Sequence, residues 1–129
     1  MTALCVFCTL PEKRILDDTG LWLVIRDGYA VSPGHTLIIP KRHVLSLFEL
    51  NEDEFSALQP LLNSTKKKLD EEFSPKAYNI GINDGPAAGQ TVPHLHIHLI
   101  PRYEGDMSDP RGGVRWIFPD NADYWSNDT

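Results

Sequence analysis

Residues 94 to 99 read His-Leu-His-Ile-His-Leu, and strict alternation of polar and apolar side chains is the period of a β-strand. It predicts that His94, His96 and His98 share one face while Leu95, Ile97 and Leu99 turn the other way, into a core. Same-face neighbours on a strand stand about 6 to 7 Å apart. A helix would scatter the same side chains around its circumference. Pro93 also restricts Val92 to extended backbone and is tolerated where a strand begins. Three of the five histidines in the chain therefore stand in one row. Groups that titrate near neutrality suit phosphate binding, proton transfer or metal binding, and the residues alone leave all three open.

A chain of 129 residues fits one domain, expected over residues 1–129, and is long enough for a real core. The net charge of -6 argues against a nucleic-acid polymer as partner. Met1-Thr2-Ala3-Leu4 lacks the basic and apolar regions of a secretory leader, and no run approaches the roughly 18 apolar residues of a membrane span, so the expected setting is cytoplasmic, away from membranes. Cys5 and Cys8 form a Cys-x-x-Cys pair, redox-active or half of a zinc site.

Along the chain, Cys5 to Arg14 predicts a short helix or turn, and Asp17-Asp18-Thr19-Gly20 a turn before the apolar strand 21–25. Asp27 sits just beyond that strand, where loops place functional groups. A turn at Ser32-Pro33-Gly34 leads to a second strand over 36–40, antiparallel to the first. Val44, Leu47, Phe48 and Leu50 predict a short helix after His43. The main helix begins with Asn51 as N-cap and Glu54 in the capping-box position, and buries a stripe of Phe55, Leu58, Leu62, Leu69 and Phe73. Pro60 predicts a kink or break within it. A third strand over 76–83 puts Tyr78, Ile80 and Ile82 on one face, and the small-residue loop Asp84 to Gln90 enters the histidine row. That loop follows neither the phosphate-loop nor the dinucleotide pattern. Beyond Arg102, residues 103–129 read as a turn-rich extension whose aromatic tail covers a sheet edge or meets a second subunit.

His-Leu-His-Ile-His-Leu-Ile at 94–100, with Pro33-Gly34-His35, Asn83 to Thr91 and Pro101-Arg102, resembles the histidine triad family of nucleotide hydrolases and transferases, and the similarity runs from Cys5 to about Asp106. The resemblance implies an α+β fold, a five-stranded antiparallel sheet with one long and one short helix, continued across a homodimer. Gly112-Gly113-Val114-Arg115-Trp116 resembles a bacterial subgroup. The implied activity is hydrolysis at the α-phosphorus of a dinucleoside polyphosphate, such as diadenosine tetraphosphate, through a nucleotidyl-histidine on His96. A nucleoside phosphoramidase and a non-catalytic nucleotide-binding regulator are the alternatives. His98 matches the family's phosphate contact, and Asn83, Gln90 and Thr91 match polar positions that hold the phosphate or leaving group, Gln90 among the catalytic set. Asp27 matches the ribose contact; Leu23, Ile25 and Leu37 match the base and sugar pocket, and His35 a residue that secures the surrounding loop. Cys5, Cys8, His43 and His94 match the ligands of a structural Zn2+ in one branch of the family. Without metal, His94 would orient His96 by a hydrogen bond, and the chemical step needs no cofactor either way. Zinc held by His94, His96 and His98 together is a further, weaker alternative.

Overall fold

The computed structural model describes residues 4–126. The leaderless start read at Met1-Thr2-Ala3 and the last three residues of the extension lie outside them. Five strands, β1 (Ile15–Asp18), β2 (Trp22–Arg26), β3 (Thr36–Pro40), β4 (Ala77–Gly81) and β5 (Ile97–Arg102), form one sheet in the order β1-β2-β3-β5-β4. Every neighbouring pair is antiparallel. The long helix α1 spans Glu52–Phe73, and the short α2 spans Pro119–Ala122. This is the α+β architecture expected. Among the described residues no helix is long and apolar enough to cross a membrane.

Strand parity sorts the core into two clusters. Trp22, Val24, Ile38, Leu95 and Ile97 face Leu58 and Leu61 of α1. Ile25, Leu37 and Ile39 face the opposite way and are covered by Phe7 from the N-terminal segment. The histidine row alternates as predicted, but the laddered strand starts only at Ile97. Just before it, the His94 amide bonds to the Val92 carbonyl and the Leu95 amide to the Val44 carbonyl, so this backbone pairs with loops rather than with a neighbouring strand. The turn expected at Asp17-Asp18 is the end of β1, an edge strand with one face exposed and a register shift between Ile15 and Asp17. The short helix expected after His43 is one 3-10 turn at Leu47–Glu49.

Helix α1 passes through Pro60 without a break. Pro60 and Ser56, whose carbonyl loses its usual donor, both lie on the exposed side, where that carbonyl is open to solvent rather than buried unpaired. Phe55 is also exposed, and Glu54 takes the buried position instead, only 2% exposed. Its carboxylate accepts from Arg42 Nη2 at 2.8 Å, Arg42 Nε at 3.1 Å and the Asn51 amide at 2.9 Å, completing the predicted capping box. The Trp22 indole donates to the Glu54 carbonyl at 2.9 Å, tying the helix start to β2.

The Arg42 guanidinium holds the Glu54 carboxyl below its ordinary range, outweighing burial. A depressed folded-state pKa contributes stability that is complete above the unfolded value of about 4.3 and is lost as pH falls through the folded value. Glu54→Ala is expected to cost about 2 kcal/mol in urea unfolding at pH 7, because it strips a cap and the charge-assisted hydrogen bonds between a buried carboxylate and the half-exposed Arg42. The gap to wild type should narrow below pH ~4.3; a constant gap would refute the ion-pair account.

Candidate active site

The triad histidines are neighbours in sequence, and their hydrogen bonds give each a different tautomer. His94 is fully buried, and its Nε2 lies 2.8 Å from the Pro40 carbonyl, which can only accept. The proton is therefore on Nε2 and Nδ1 is bare. His96 places Nδ1 at 2.9 Å from the His94 carbonyl. By the same logic its proton is on Nδ1, and the Nε2 lone pair is free. The His96 ring meets the rings of Phe7 and His98 edge-on, with centroids at 5.1 and 5.2 Å.

His98 receives its tautomer from further away. The Val31 amide donates to His35 Nδ1 at 3.1 Å, so His35 carries its proton on Nε2, which lies 2.9 Å from His98 Nδ1. His98 Nδ1 accepts that proton's hydrogen bond, and His98 Nε2 is left as a donor. Asp27 Oδ2 lies 3.3 Å from His35 Nε2 and 4.0 Å from His98 Nδ1. Burial pushes the pKa of both His35 and His98 down, and the Asp27 charge opposes it. The neighbouring His96 and His35 depress His98 further. Both rings are accordingly neutral at pH 7.

The bare Nδ1 of His94 faces Cys5 Sγ at 3.3 Å, Cys8 Sγ at 3.5 Å and His43 Nδ1 at 3.2 Å, and Cys8 Sγ lies 3.2 Å from His43 Nδ1. All four donor atoms fall within 4.8 Å of one another. Tetrahedral zinc with Zn–S near 2.3 Å and Zn–N near 2.0 to 2.1 Å has ligand-to-ligand edges of about 3.3 to 3.8 Å. The set fits such an ion in chemistry and in size. The three triad rings do not converge on one point, since His94 turns to the cysteines while His96 and His98 bond elsewhere. This counts against a catalytic metal held by all three.

Leu23, Ile25 and Leu37 are buried on the triad side of the sheet, and Leu37 is the β3 partner of His98. Asp27 stands at the end of β2 beside His35. Asn83 and Thr91 are exposed on the loop from β4 to β5, which turns through Gly85 and Gly89 at positive φ. Gln90 is committed to holding that loop: its Oε1 accepts from the Gly85 amide at 2.8 Å, and its Nε2 donates to the Leu45 and Val92 carbonyls at 3.0 and 3.2 Å. Sequence reasoning missed Phe7 and Leu10, which close the apolar side of this site. Their apolar spacing across the Cys-x-x-Cys segment was the available signal.

The HIT domain profile matches residues 10–105 of the chain. An asymmetrical bis(5'-nucleosyl)-tetraphosphatase of Schizosaccharomyces pombe is 44% identical over 79 residues, 61% of this chain but only 43% of that protein. An adenosine 5'-monophosphoramidase of the same yeast is 35% identical over 102 residues, 76% of this chain and 74% of its own. The crystal structure of a zinc-bound histidine triad protein from Mycobacterium smegmatis superposes with a TM-score of 0.70 at 35% identity, covering 81% of this chain and 79% of that one.

Proposed function

The chain belongs to the HIT family, and from that premise we propose that it hydrolyses dinucleoside polyphosphates at the α-phosphorus, releasing a nucleoside monophosphate. The observation that carries this is the His96 ring, whose Nδ1 proton is held by the His94 carbonyl at 2.9 Å, leaving Nε2 with a free lone pair and no proton to shed. Attack by Nε2 forms a P–N bond as the polyphosphate leaves, and water then cleaves the nucleotidyl-imidazole to regenerate the ring. His98 donates from Nε2 to a phosphate oxygen, stabilising charge in transfer, with its tautomer held by His35. His94 positions His96 through its carbonyl. Asn83 and Thr91 bind phosphate or the leaving group, and Gln90 serves by bracing the loop that carries Thr91.

The nucleoside of the attacked phosphate lies against Leu23, Ile25 and Leu37, with Phe7 and Leu10 as additional walls and Asp27 accepting from the ribose hydroxyls. Cys5, Cys8, His43 and His94 hold a structural Zn2+ that ties the N-terminal segment to the active strand; no chemical step passes through it. The protein acts in the cytoplasm as a single domain, residues 1–129, and a homodimer, which the exposed edge strand β4 with Ile80 54% exposed would allow by continuing the sheet. Residues 103–129 pack on the domain or on the partner subunit. Nucleic-acid polymers and membranes are not its partners.

Similarity over three quarters of both chains to a monophosphoramidase favours a second activity, cleavage of a phosphorus-nitrogen bond by the same nucleophile. The test is product analysis after incubation with diadenosine tetraphosphate, diadenosine triphosphate or adenosine phosphoramidate. AMP released fastest from a dinucleotide supports the hydrolase. Dominant release from the phosphoramidate supports the alternative, and tight AMP binding with no turnover of any of the three would leave a nucleotide-binding regulator.

A further inference from the structure

His35 has one ring proton and two acceptors for it. Its Nδ1 is occupied by the Val31 amide at 3.1 Å, and burial of the ring, 3% exposed, keeps it neutral, so the single proton is on Nε2. That nitrogen lies 2.9 Å from His98 Nδ1 and 3.3 Å from Asp27 Oδ2. The backbone holds this arrangement, because the Asp27 amide donates to the His35 carbonyl at 3.0 Å and keeps the two residues opposite each other where β2 ends and β3 begins. The Asp27 carboxylate is only half satisfied elsewhere. Its Oδ1 accepts from the Tyr29 amide at 2.8 Å, but among the described residues no lysine or arginine pairs with it, which leaves Oδ2 a charged acceptor facing the shared proton. A charged acceptor draws a hydrogen bond more strongly than a neutral ring nitrogen, and this offsets its longer distance.

The sharing matters for His98, whose use to a phosphate depends on which nitrogen carries its proton. While His35 donates to His98 Nδ1, His98 keeps its proton on Nε2 and presents a donor. When the His35 proton turns to Asp27, His98 Nδ1 has no donor. The ring, 21% exposed, then exchanges its own proton through water from Nε2 to Nδ1, toward Asp27 Oδ2 at 4.0 Å. Nε2 is left as a bare lone pair that repels phosphate oxygens. A ribose hydroxyl donating to Oδ2 gives the carboxylate another partner and returns the His35 proton to His98. We propose that Asp27 is a positioning residue that couples occupancy of the ribose site to the donor tautomer of His98, so that the chemical step, and not binding alone, selects nucleotides that carry ribose hydroxyls. The coupling rests on the proposed hydrolase activity and on its placement of the ribose at Asp27.

Diadenosine tetraphosphate and its analogue lacking the ribose hydroxyls separate coupling from simple anchoring. In wild type the analogue should show a higher KM and also a kcat about tenfold lower, the worth of one hydrogen bond made in the transition state. Asp27→Ala removes the competitor for the His35 proton, so kcat for the analogue should rise about tenfold to meet that of the ribose-bearing compound, with KM high for both. An anchor alone gives the variant no gain on the analogue. A wild-type difference confined to KM, or an unchanged kcat for the analogue in Asp27→Ala, would overturn the coupling. Nitrogen-15 spectra of the imidazoles test it without turnover. Saturating wild type with adenosine should move the His98 proton toward Nε2, whereas dideoxyadenosine should not, and this comparison stands even where the alanine variant fails to fold. If wild type cleaves neither dinucleotide, the hydrolase activity itself fails, and these spectra then decide. The adenosine-dependent shift would still establish the coupling, and its absence would overturn it.

Discussion

His96→Ala protein is expected to fold as wild type and to release nucleoside monophosphate roughly 10⁴-fold or more slowly, the scale of loss when a nucleophile is removed. The imidazole lies on the side of the sheet opposite the helix cluster, and its protein hydrogen bond is to the His94 carbonyl. Its loss costs a contact with Phe7 but no part of the α1 interface. The checks are kcat from single-turnover chromatography, the melting temperature, and the affinity for AMP, which should fall far less than kcat. The comparison with His98→Ala is informative. That change removes a donor to the phosphate and leaves the nucleophile, so a smaller loss of about 10² to 10³ is expected. A His96→Ala protein that turns over at near the wild-type rate would exclude covalent catalysis at this ring. A loss no greater than that of His98→Ala would show that the two rings share a binding role.

What the sequence makes legible here is what local periodicity encodes. Alternation at 94–99 gives the face of every side chain in the row, and the Asn51 to Glu54 spacing gives the helix start with its capping box. Even the late start of β5 leaves the alternation intact, because extended backbone alternates whether or not it is laddered. Contacts between distant segments are the part that local pattern leaves out. His35 and His98 are 63 residues apart, and nothing near either announces that one sets the tautomer of the other. Gln90 reads as a phosphate contact from its place beside the triad, yet both ends of its amide are taken by Gly85, Leu45 and Val92. Glu54 reads as a cap alone, while the Arg42 guanidinium across the loop makes its burial tolerable. β1 escapes notice because an edge strand of four residues with alternate exposure and a bulge carries too short a pattern to separate from a turn.

Replacing Cys5 and Cys8 together by serine is expected to abolish bound zinc and lower the melting temperature by about 10 °C. The four donors close a tetrahedron between segments 35 to 89 residues apart, so an ion there joins the N-terminal segment, the loop after β3 and the start of the histidine row. An ion that binds the folded chain and not the unfolded one stabilises by mass action, and about 3 kcal/mol of lost binding corresponds to that shift in a domain of this size. Serine hydroxyls remain protonated at pH 7 and cannot replace thiolates, whereas His43 and His94 alone make a weak pair. Activity should divide unevenly. Phe7, between the two cysteines, covers Ile25, Leu37 and His96, so a loosened segment opens the nucleoside side and raises KM. The His94 carbonyl still holds His96, so kcat should change less. Metal analysis of wild type prepared without chelators should find about one zinc per chain, and the double variant none. Zinc-free wild type with unchanged melting of the variant would instead make the cysteines a reduced pair, and would leave the His94 carbonyl to hold the nucleophile with no metal at all.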